Sequence, residues 1–395
     1  MASRADPTRV VDEVVAACRQ VLGRADQFVP LHEPCFRGRE WEYVKDCLDT
    51  GWVSSVGAYV DRFETDLAEA TGCAHAVATS TGTAALHIGL LLVGVTRDDE
   101  VLVPALSFVA TANAVAYAGA IPHFLDCDEV TLGVDPDALE RHLAETAELR
   151  ADGCYNRRTG RRIGALVAVH MYGHPCRIEA LATLATRYRL PLVEDAAESL
   201  GSWFRGRHTG RWGRVAALSF NGNKTLTTGG GGAVLTEDAA LAARAKHLTT
   251  TAKVPHRWAY RHDAVGYNYR LPNLNAALGC AQLEQLPAFL DSKRRLAARY
   301  IEAFADLAGV RFVVEPPECR SNYWLCSLLL DDDLAGARDR LLETTNDGGI
   351  MTRPAWDLLS ELPMYADTPR AALPVSARVA RGLVNLPSSP GLCLQ

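Results

Sequence analysis

Short apolar runs alternate with amphipathic stretches over the first three-quarters of the chain, and this order constrains the fold more than any other feature. Most of the runs are continuously apolar, which is typical of strands covered on both faces, and a strand–helix–strand order favours parallel pairing. We therefore predict one large α/β domain with a mainly parallel sheet of seven strands. The predicted strands are Ala74–Thr79, Glu100–Val103, Ile121–Asp126, Ile163–Val169, Leu190–Glu194, Val215–Phe220 and Gly232–Thr236.

The connections between these strands are predicted to be mainly helical. Helical periodicity marks Tyr59–Thr71, Asp135–Glu148, Ile178–Tyr188 and Asp238–Leu248. The segment Ala151–Arg162 is instead polar and contains two glycines, so we predict an exposed loop or hairpin there.

The last quarter of the chain follows a different pattern. Two long helices, Asn275–Leu290 and Asp291–Leu307, are predicted to meet at or just after Pro287, because proline interrupts helix hydrogen bonding. A strand over Tyr323–Leu330 and a helix over Asp333–Thr345 are predicted to follow. We interpret residues 1–290 as the large domain with an N-terminal arm, and residues 291–395 as a smaller α+β domain.

Composition excludes several classes of protein. With 48% hydrophobic and 22% charged residues, the 395-residue chain is in the globular range, so disorder and coiled coil are excluded. Its 41 basic and 47 acidic residues leave a net charge of −6 without a basic block, which argues against nucleic acid or an anionic membrane surface as partner.

The cysteines and the N-terminus bear on location. None of the eleven cysteines forms a C-x-x-C motif, so neither a zinc knuckle nor a thioredoxin motif is supported, and scattered cysteines fit a reducing cytosol. Asp6, Asp12 and Glu13 are incompatible with a signal peptide, and the longest apolar stretch, Thr83–Val95, is too short to span a bilayer. We predict a cytoplasmic protein without membrane contact.

Lys224 is the first candidate for chemistry. Only five lysines occur among the 41 basic residues, and this one comes shortly after a buried-looking strand. Lysine, unlike arginine, can lose its proton and form a Schiff base. A solvated turn lysine is the alternative.

Asp195 strengthens the first interpretation. It follows the predicted strand Leu190–Glu194, at the edge of an open α/β sheet where ligands bind, and it precedes Lys224 by 29 residues. A carboxylate there can pair with the pyridine nitrogen of pyridoxal phosphate and keep that nitrogen protonated. A helix N-cap is the alternative role.

A third element is the small-residue turn from Thr79 into the next helix. Gly82 and Thr83 lie where free N–H groups and a positive helix end could bind a phosphate, although simple N-capping by Ser80, Thr81 or Thr83 is an alternative. Ser219 could add a hydroxyl to the same phosphate. Phe108 follows another strand end and could stack on a planar ring, with core packing as its alternative.

Other motifs are weaker. Asn223 separates glycine from lysine in Gly222–Thr225, so no nucleotide-binding P-loop is present, and an ATPase is a remote alternative. His170 and His174 are four residues apart, but Gly173 and Pro175 prevent the helix that would direct both at one metal. We predict no metal site.

Taken in order, these residues resemble the sugar aminotransferases of the DegT/DnrJ/EryC1/StrS family, which are fold type I pyridoxal-phosphate enzymes. The resemblance runs from about Val29 to Pro390. Its most specific segments are Glu194–Gly201, Ser219–Lys224 and Gly266–Arg270.

The resemblance implies roles for individual residues. Lys224 would bind the cofactor, pyridoxal 5'-phosphate, covalently, and Asp195 would pair with its pyridine nitrogen. Gly82, Thr83 and Ser219 would hold the phosphate, while Phe108 would stack on the ring. Glu198 occupies the place of a polar group beside the ring hydroxyl, commonly Gln or His in the family. Asn268 would reach the phosphate of the other subunit's cofactor, which implies a homodimer with shared active sites.

The resemblance also implies an activity. Thr50–Ser55, Asn221–Lys224 and Thr227–Gly232 are similar to aminotransferases of the legionaminic acid and bacillosamine pathways. The expected reaction is transfer of an amino group from L-glutamate to a nucleotide-linked 4-keto-6-deoxy-N-acetylglucosamine. A sugar dehydratase of the same family would need a histidine at position 224, and a non-catalytic sensor would not need Lys224 and Asp195.

Overall fold

A nine-stranded sheet covered by helices forms the larger part of the computed structural model, which describes residues 7–23 and 27–394. The helices in these residues are α1 (Pro7–Leu22), α2 (Glu40–Thr50), α3 (Ala58–Thr71), α4 (Gly82–Leu92), α5 (Ala110–Tyr117), α6 (Pro136–Thr146), α7 (Ile178–Arg187), α8 (Ala239–Thr249), α9 (Asn273–Phe304), α10 (Arg338–Asp347) and α11 (Pro374–Gly382). Among the described residues, no helix is both long enough and apolar enough to cross a membrane.

The strands, in chain order, belong to the large sheet, a C-terminal sheet and two small ribbons. They are β1 (His75–Thr79), β2 (Glu100–Pro104), β3 (Ile121–Leu125), β4 (Ala147–Arg150), β5 (Gly153–Asn156), β6 (Arg162–Val169), β7 (Leu192–Asp195), β8 (Trp203–Phe204), β9 (Arg207–His208), β10 (Val215–Ser219), β11 (Gly232–Thr236), β12 (Lys253–Val254), β13 (Arg261–His262), β14 (Val310–Phe312), β15 (Cys319–Arg320), β16 (Cys326–Leu330), β17 (Arg353–Pro354) and β18 (Leu383–Leu386).

The large sheet confirms the predicted mainly parallel α/β fold. Its main path runs β1-β11-β10-β7-β6-β2-β3, and these are the seven strands predicted from the sequence. The pairs β10–β7, β7–β6, β6–β2 and β2–β3 are parallel, whereas β11 is antiparallel to both of its neighbours. The carboxyl ends of β1, β2, β6, β7 and β10 therefore meet at one edge of the sheet.

The sheet has nine strands rather than the predicted seven, because a hairpin formed by β4 and β5 joins it next to β6. β4 and β5 pair antiparallel, and β5 continues the pairing onto β6. The predicted helix Asp135–Glu148 therefore ends at Thr146, and part of Ala151–Arg162, predicted as loop or hairpin, is the strand β5. The hairpin is rich in charged residues and lies at the sheet margin, so its sequence carries little of the apolar signal that marks the other strands.

Helix α9 corrects a second prediction. Asn273–Phe304 is one continuous helix of 32 residues with Pro287 inside it, rather than two helices that meet at this proline. Buried side chains occur on both sides of Pro287, including Leu283, Leu286 and Phe289. Tertiary packing along the whole length therefore outweighs the local cost of one proline.

A second core lies around the C-terminal sheet β14-β16-β18-β17. The later part of α9 packs on it, and so does α1, whose apolar side chains share this cluster with residues such as Leu328 and Val384. The strand predicted over Tyr323–Leu330 is confined to β16, and the predicted helix Asp333–Thr345 corresponds to a 3₁₀ turn followed by α10. The domain boundary at residue 290 stays a prediction, and α9 runs through it.

Candidate active site

A cavity of about 300 Å³ opens at the edge where the carboxyl ends of the parallel strands meet. Residues directly after β1, β2, β7 and β10 line it, together with two tryptophans from the C-terminal part of the chain. Seven of the eight site residues predicted from the sequence lie in its wall: Gly82, Thr83, Phe108, Asp195, Glu198, Ser219 and Lys224.

One end of the cavity is formed by the N-terminus of α4. The hydroxyl of Thr81 accepts a hydrogen bond from the backbone N–H of Ala84 (3.0 Å), so Thr81 has the predicted capping role. The N–H groups of Gly82 and Thr83 are in the first turn and have no acceptor within the helix. This end can therefore receive an anion.

Gly82 allows the helix end to approach strand β10 closely. A Cβ at Gly82 would lie 2.7 Å from Cβ of Ser219 and 3.0 Å from its Oγ, closer than real side chains come. The absence of a side chain thus brings backbone N–H groups and the Ser219 hydroxyl to the same wall of the cavity.

Asp195 is the last residue of β7 and is buried. Its Oδ2 accepts a hydrogen bond from Oγ1 of Thr111 (2.8 Å), and its Oδ1 accepts a longer one from the N–H of Ala197 (3.3 Å). Burial raises the pKa of the Asp195 carboxyl, while the bond from Thr111 acts in the opposite direction. No helix begins at Asp195, so the helix N-cap alternative is wrong.

Lys224 projects its amine into the same cavity. Nζ lies 3.2 Å from Oε1 of Glu198 and 3.9 Å from the ring centroid of Trp324. The side chain is only 12% exposed, so the solvated turn lysine considered above is wrong. The amine is held between a carboxylate and an aromatic face.

Glu198 is buried beside Lys224. Its second oxygen, Oε2, accepts a hydrogen bond from the backbone N–H of Tyr172 (2.8 Å). Burial raises the pKa of the Glu198 carboxyl, and the nearby Lys224 opposes this increase. Glu198 is thus a fixed acceptor for the proton-bearing form of the amine.

Phe108 lies at the mouth of the cavity and is 49% exposed, so the core-packing alternative is wrong. Its ring centroid is 5.7 Å from that of Trp356 at a tilted angle. These two aromatic side chains leave a ring-lined entrance where a planar group can bind.

Asn268 does not reach this cavity in its own chain. It is exposed, and its Oδ1 accepts hydrogen bonds from the guanidinium of Arg270 (3.0 and 3.3 Å). A backbone bridge to Thr250 fixes its position. The predicted contact with a partner's cofactor stays a prediction.

The structure adds residues that the sequence analysis missed. Thr111, Trp324 and Trp356 contact Asp195, Lys224 and Phe108, respectively. Of these three residues, only Thr111 lies near a residue predicted for the site: it comes three residues after Phe108, in the segment that follows β2. The tryptophans come from the last fifth of the chain, and nothing local connects them to the site.

The two histidines considered as metal ligands have other surroundings. His170 pairs with the buried Glu194 (2.9 Å), and His174 packs against the ring of Tyr323. Within residues 7–23 and 27–394, no group of three or more His, Cys, Asp or Glu side chains could hold a metal ion.

The donor set of the cavity fits pyridoxal 5'-phosphate. An anion-binding helix end, a buried carboxylate and a lysine amine line one space, which matches a molecule with a phosphate, a pyridine nitrogen and an aldehyde. The close approach permitted by Gly82 makes the phosphate end a concave cradle.

Comparison with known proteins identifies the family. The model of the DegT/DnrJ/EryC1/StrS aminotransferase family matches residues 34–395. A relative, the GDP-perosamine synthase of Escherichia coli O157:H7, is 37% identical over 366 residues, which cover 93% of this chain and 94% of that protein.

Solved structures agree with this match. The aminotransferase TlmJ from Streptoalloteichus hindustanus has a TM-score of 0.81 at 31% identity, covering 91% of this chain and 93% of that one. DesI, solved in the presence of its TDP-sugar product, has a TM-score of 0.80 at 31% identity, covering 94% and 91%. The chain thus belongs to the DegT/DnrJ/EryC1/StrS family and is a pyridoxal-phosphate-dependent sugar aminotransferase that acts on nucleotide sugars.

Proposed function

We propose that this enzyme transfers an amino group from L-glutamate to C4 of a nucleotide-linked 4-keto-6-deoxy sugar. The observation that carries the proposal is the meeting of Asp195, Glu198 and Lys224 in one cavity beside the anion-binding end of α4. The cytoplasmic location inferred from the sequence stays part of this proposal.

Four residues of the cavity wall bind the cofactor in this proposal. The N–H groups of Gly82 and Thr83, with the hydroxyl of Ser219, bind the phosphate, and Phe108 covers one face of the ring. Pyridoxal phosphate, when bound, supplies a conjugated ring that accepts electrons from the carbon that loses its proton.

Asp195 and Lys224 carry the proton chemistry. The Asp195 carboxylate, oriented by Thr111, holds a proton on the ring nitrogen. With the cofactor bound, Nζ of Lys224 would be the base that takes the proton from the donor's Cα and the acid that returns it during amino transfer. Glu198 accepts a hydrogen bond from Nζ at 3.2 Å and so orients the amine inside the cavity.

The identity of the acceptor is the finer part of the proposal. The segments quoted above support an N-acetylated acceptor, UDP- or GDP-4-keto-6-deoxy-N-acetylglucosamine, as in legionaminic acid or bacillosamine synthesis. The GDP-perosamine synthase relative supports a GDP carrier. We therefore propose the GDP-linked compound ahead of the UDP-linked one.

A homodimer with shared sites is also part of the proposal. Asn268 is exposed and does not line its own cavity, and the preceding segment exposes Trp258, Tyr260 and Val265, each more than 70% exposed. Large apolar side chains exposed together are typical of an interaction surface.

The test has two arms. Borohydride reduction of the loaded protein should attach the cofactor to the peptide that contains Lys224; attachment at Lys246 or Lys253 would contradict the assignment. Purified enzyme should then be incubated with L-glutamate and three acceptors: UDP- and GDP-4-keto-6-deoxy-N-acetylglucosamine, and the GDP-linked keto sugar that transamination converts to GDP-perosamine. Preference for the third would retain the activity and overturn the N-acetylated acceptor.

A further inference from the structure

The indole of Trp324 lies directly against the reactive amine. Its ring centroid is 3.9 Å from Nζ of Lys224, and the carboxylate of Glu198 is 3.2 Å from the same atom. Because an ammonium group is attracted to an aromatic face, these two groups define where the amine rests when it is not bound to another molecule.

Each polar atom of Trp324 is hydrogen bonded. Its backbone N–H donates to Oδ1 of Asn322 (2.8 Å), and its indole N–H donates to the carbonyl of Asn223, the residue before Lys224 (2.7 Å). Its carbonyl oxygen accepts bonds from the hydroxyl of Ser388 (2.7 Å) and from Nζ of Lys293 (3.2 Å). Hydrogen bonds at the indole N–H and at the backbone of Trp324 thus fix the position of the ring.

Lys293 is the unusual member of this set. It lies on α9, is 1% exposed, and makes its other contacts with the carbonyl of Ser388 (2.5 Å) and Nε2 of His32 (3.0 Å). Its three partners in the described part of the chain, the carbonyls of Trp324 and Ser388 and the imidazole of His32, are neutral, so a positive charge on Nζ is buried at a cost that no carboxylate offsets. An apolar side chain of similar length would avoid this cost. The hydrogen bonds that Nζ donates to the carbonyls of Trp324 and Ser388 are therefore the feature that a lysine adds at this position.

We propose that Lys293 is a positioning residue for the transamination: by hydrogen bonding the carbonyl of Trp324 from behind, it fixes the indole against Nζ of Lys224. The proposal rests on the proposed function of Lys224 as the group that moves the proton. Lys293 itself touches neither the cavity nor the amine. Its effect is therefore on the placement of Nζ, and small misplacements of a reacting group can lower a rate by about 100-fold.

Three variants separate positioning from general stability. Lys293→Met removes the amine and its hydrogen bonds at similar length, and Ser388→Ala removes the other donor to the Trp324 carbonyl. Tyr300→Phe is the matched control, because the Tyr300 hydroxyl also joins α9 to the C-terminal segment, at the carbonyl of Pro387 (3.1 Å), without contacting Trp324.

The kinetic arm measures single-turnover reaction of the loaded enzyme with the amino donor. We expect the limiting rate to fall by about 10- to 100-fold in Lys293→Met, and in the same direction in Ser388→Ala, with the donor KM changed less than about threefold. Tyr300→Phe should retain the wild-type rate. Equal loss in Tyr300→Phe, or a rise in KM with an unchanged limiting rate, would overturn the proposal in favour of a structural role.

The second arm uses cofactor-free protein labelled with 5-fluorotryptophan. The chain has seven tryptophans, and the Trp324 resonance is assigned by its loss in Trp324→Phe. We expect this resonance to shift or broaden in Lys293→Met and Ser388→Ala but not in Tyr300→Phe. An unchanged resonance in both variants would overturn the proposal, and if Lys293→Met does not fold, Ser388→Ala alone decides. A shifted resonance with an unchanged rate would also overturn the proposal, whereas a failure of the role proposed for Lys224 would show separately, as borohydride attachment of the cofactor at another lysine.

Discussion

The carboxylate of Asp195 is buried, and only one strong hydrogen bond, from Thr111, reaches it within the described residues. A purely structural carboxylate in such a place could be replaced by an amide at little cost. We predict instead that Asp195→Asn retains bound cofactor but loses transamination by about a thousandfold, because the amide cannot hold a proton on the ring nitrogen; this corresponds to about 4 kcal/mol of transition-state stabilisation.

The measurement is steady-state transamination together with the absorbance of the bound cofactor. Thr111→Val is the matched control, since it removes the hydrogen bond at Oδ2 and keeps the carboxylate. It should cost about tenfold, the size expected for one hydrogen bond to a charged group. Near wild-type turnover in Asp195→Asn would leave Asp195 with a structural role only.

At the scale of elements, α9 links the active-site side of the molecule to the C-terminal core, and Lys293 is its buried charge. Burial lowers the pKa of Lys293 from 10.5 to about 7. Between these values the unfolded chain binds a proton that the folded chain does not, so the free energy of unfolding rises with pH across this window. Below pH 7 both states are protonated and the effect is constant.

We therefore predict that the stability of the wild type relative to Lys293→Met increases by up to about 4 kcal/mol between pH 7 and pH 10. Urea unfolding at a series of pH values measures it. The neighbouring groups do not titrate in this window, because burial lowers the pKa of His32 well below 6.5 and raises that of Cys326 to about 12. Lys246→Met, which removes a lysine side chain that is 44% exposed, is the matched surface variant; a difference for Lys293→Met that stays flat with pH would contradict the prediction.

Elements whose own sequence has a clear apolar pattern could be predicted, and elements that depend on tertiary contacts could not. The strands of the main path are buried on both faces, so their sequences are apolar throughout, as in β2 and β11. Pro287 was predicted to end a helix because the local rule is correct for an isolated segment, whereas packing on both sides of it keeps α9 continuous. The β4–β5 hairpin depends on pairing with β6, which is not visible locally.

At the scale of the whole molecule, the site residues at the ends of strands could be predicted from the sequence. The site residues that come from the distant C-terminal part of the chain could not. Asp195 and Ser219 are the last residues of two strands of one sheet and Gly82 comes shortly after a third, so their convergence follows from the topology. Trp324 lies 100 residues after Lys224 in the chain, and its placement depends on Asn322 and Lys293. Its role could be found only from the folded chain.

Asn268 bears on assembly, because it is exposed and does not line the cavity of its own chain. If it reaches the phosphate in the partner's site, cofactor binding and dimer formation are coupled. Asn268→Ala should then weaken cofactor binding by about 1–3 kcal/mol, the value of one hydrogen bond to a charged group. Equilibrium titration of the cofactor-free protein measures this loss.

Mixed dimers provide the sharper measurement. Lys224→Ala chains and Asn268→Ala chains are combined at a cofactor concentration that leaves Asn268→Ala homodimers mostly empty. Each heterodimer then has one site with both defects and one site with neither, because the lysine of one chain would meet the asparagine of the other. We expect activity to return to the level of one intact site per heterodimer. Proven heterodimers without recovered activity would show that Asn268 serves the site of its own chain or only the fold.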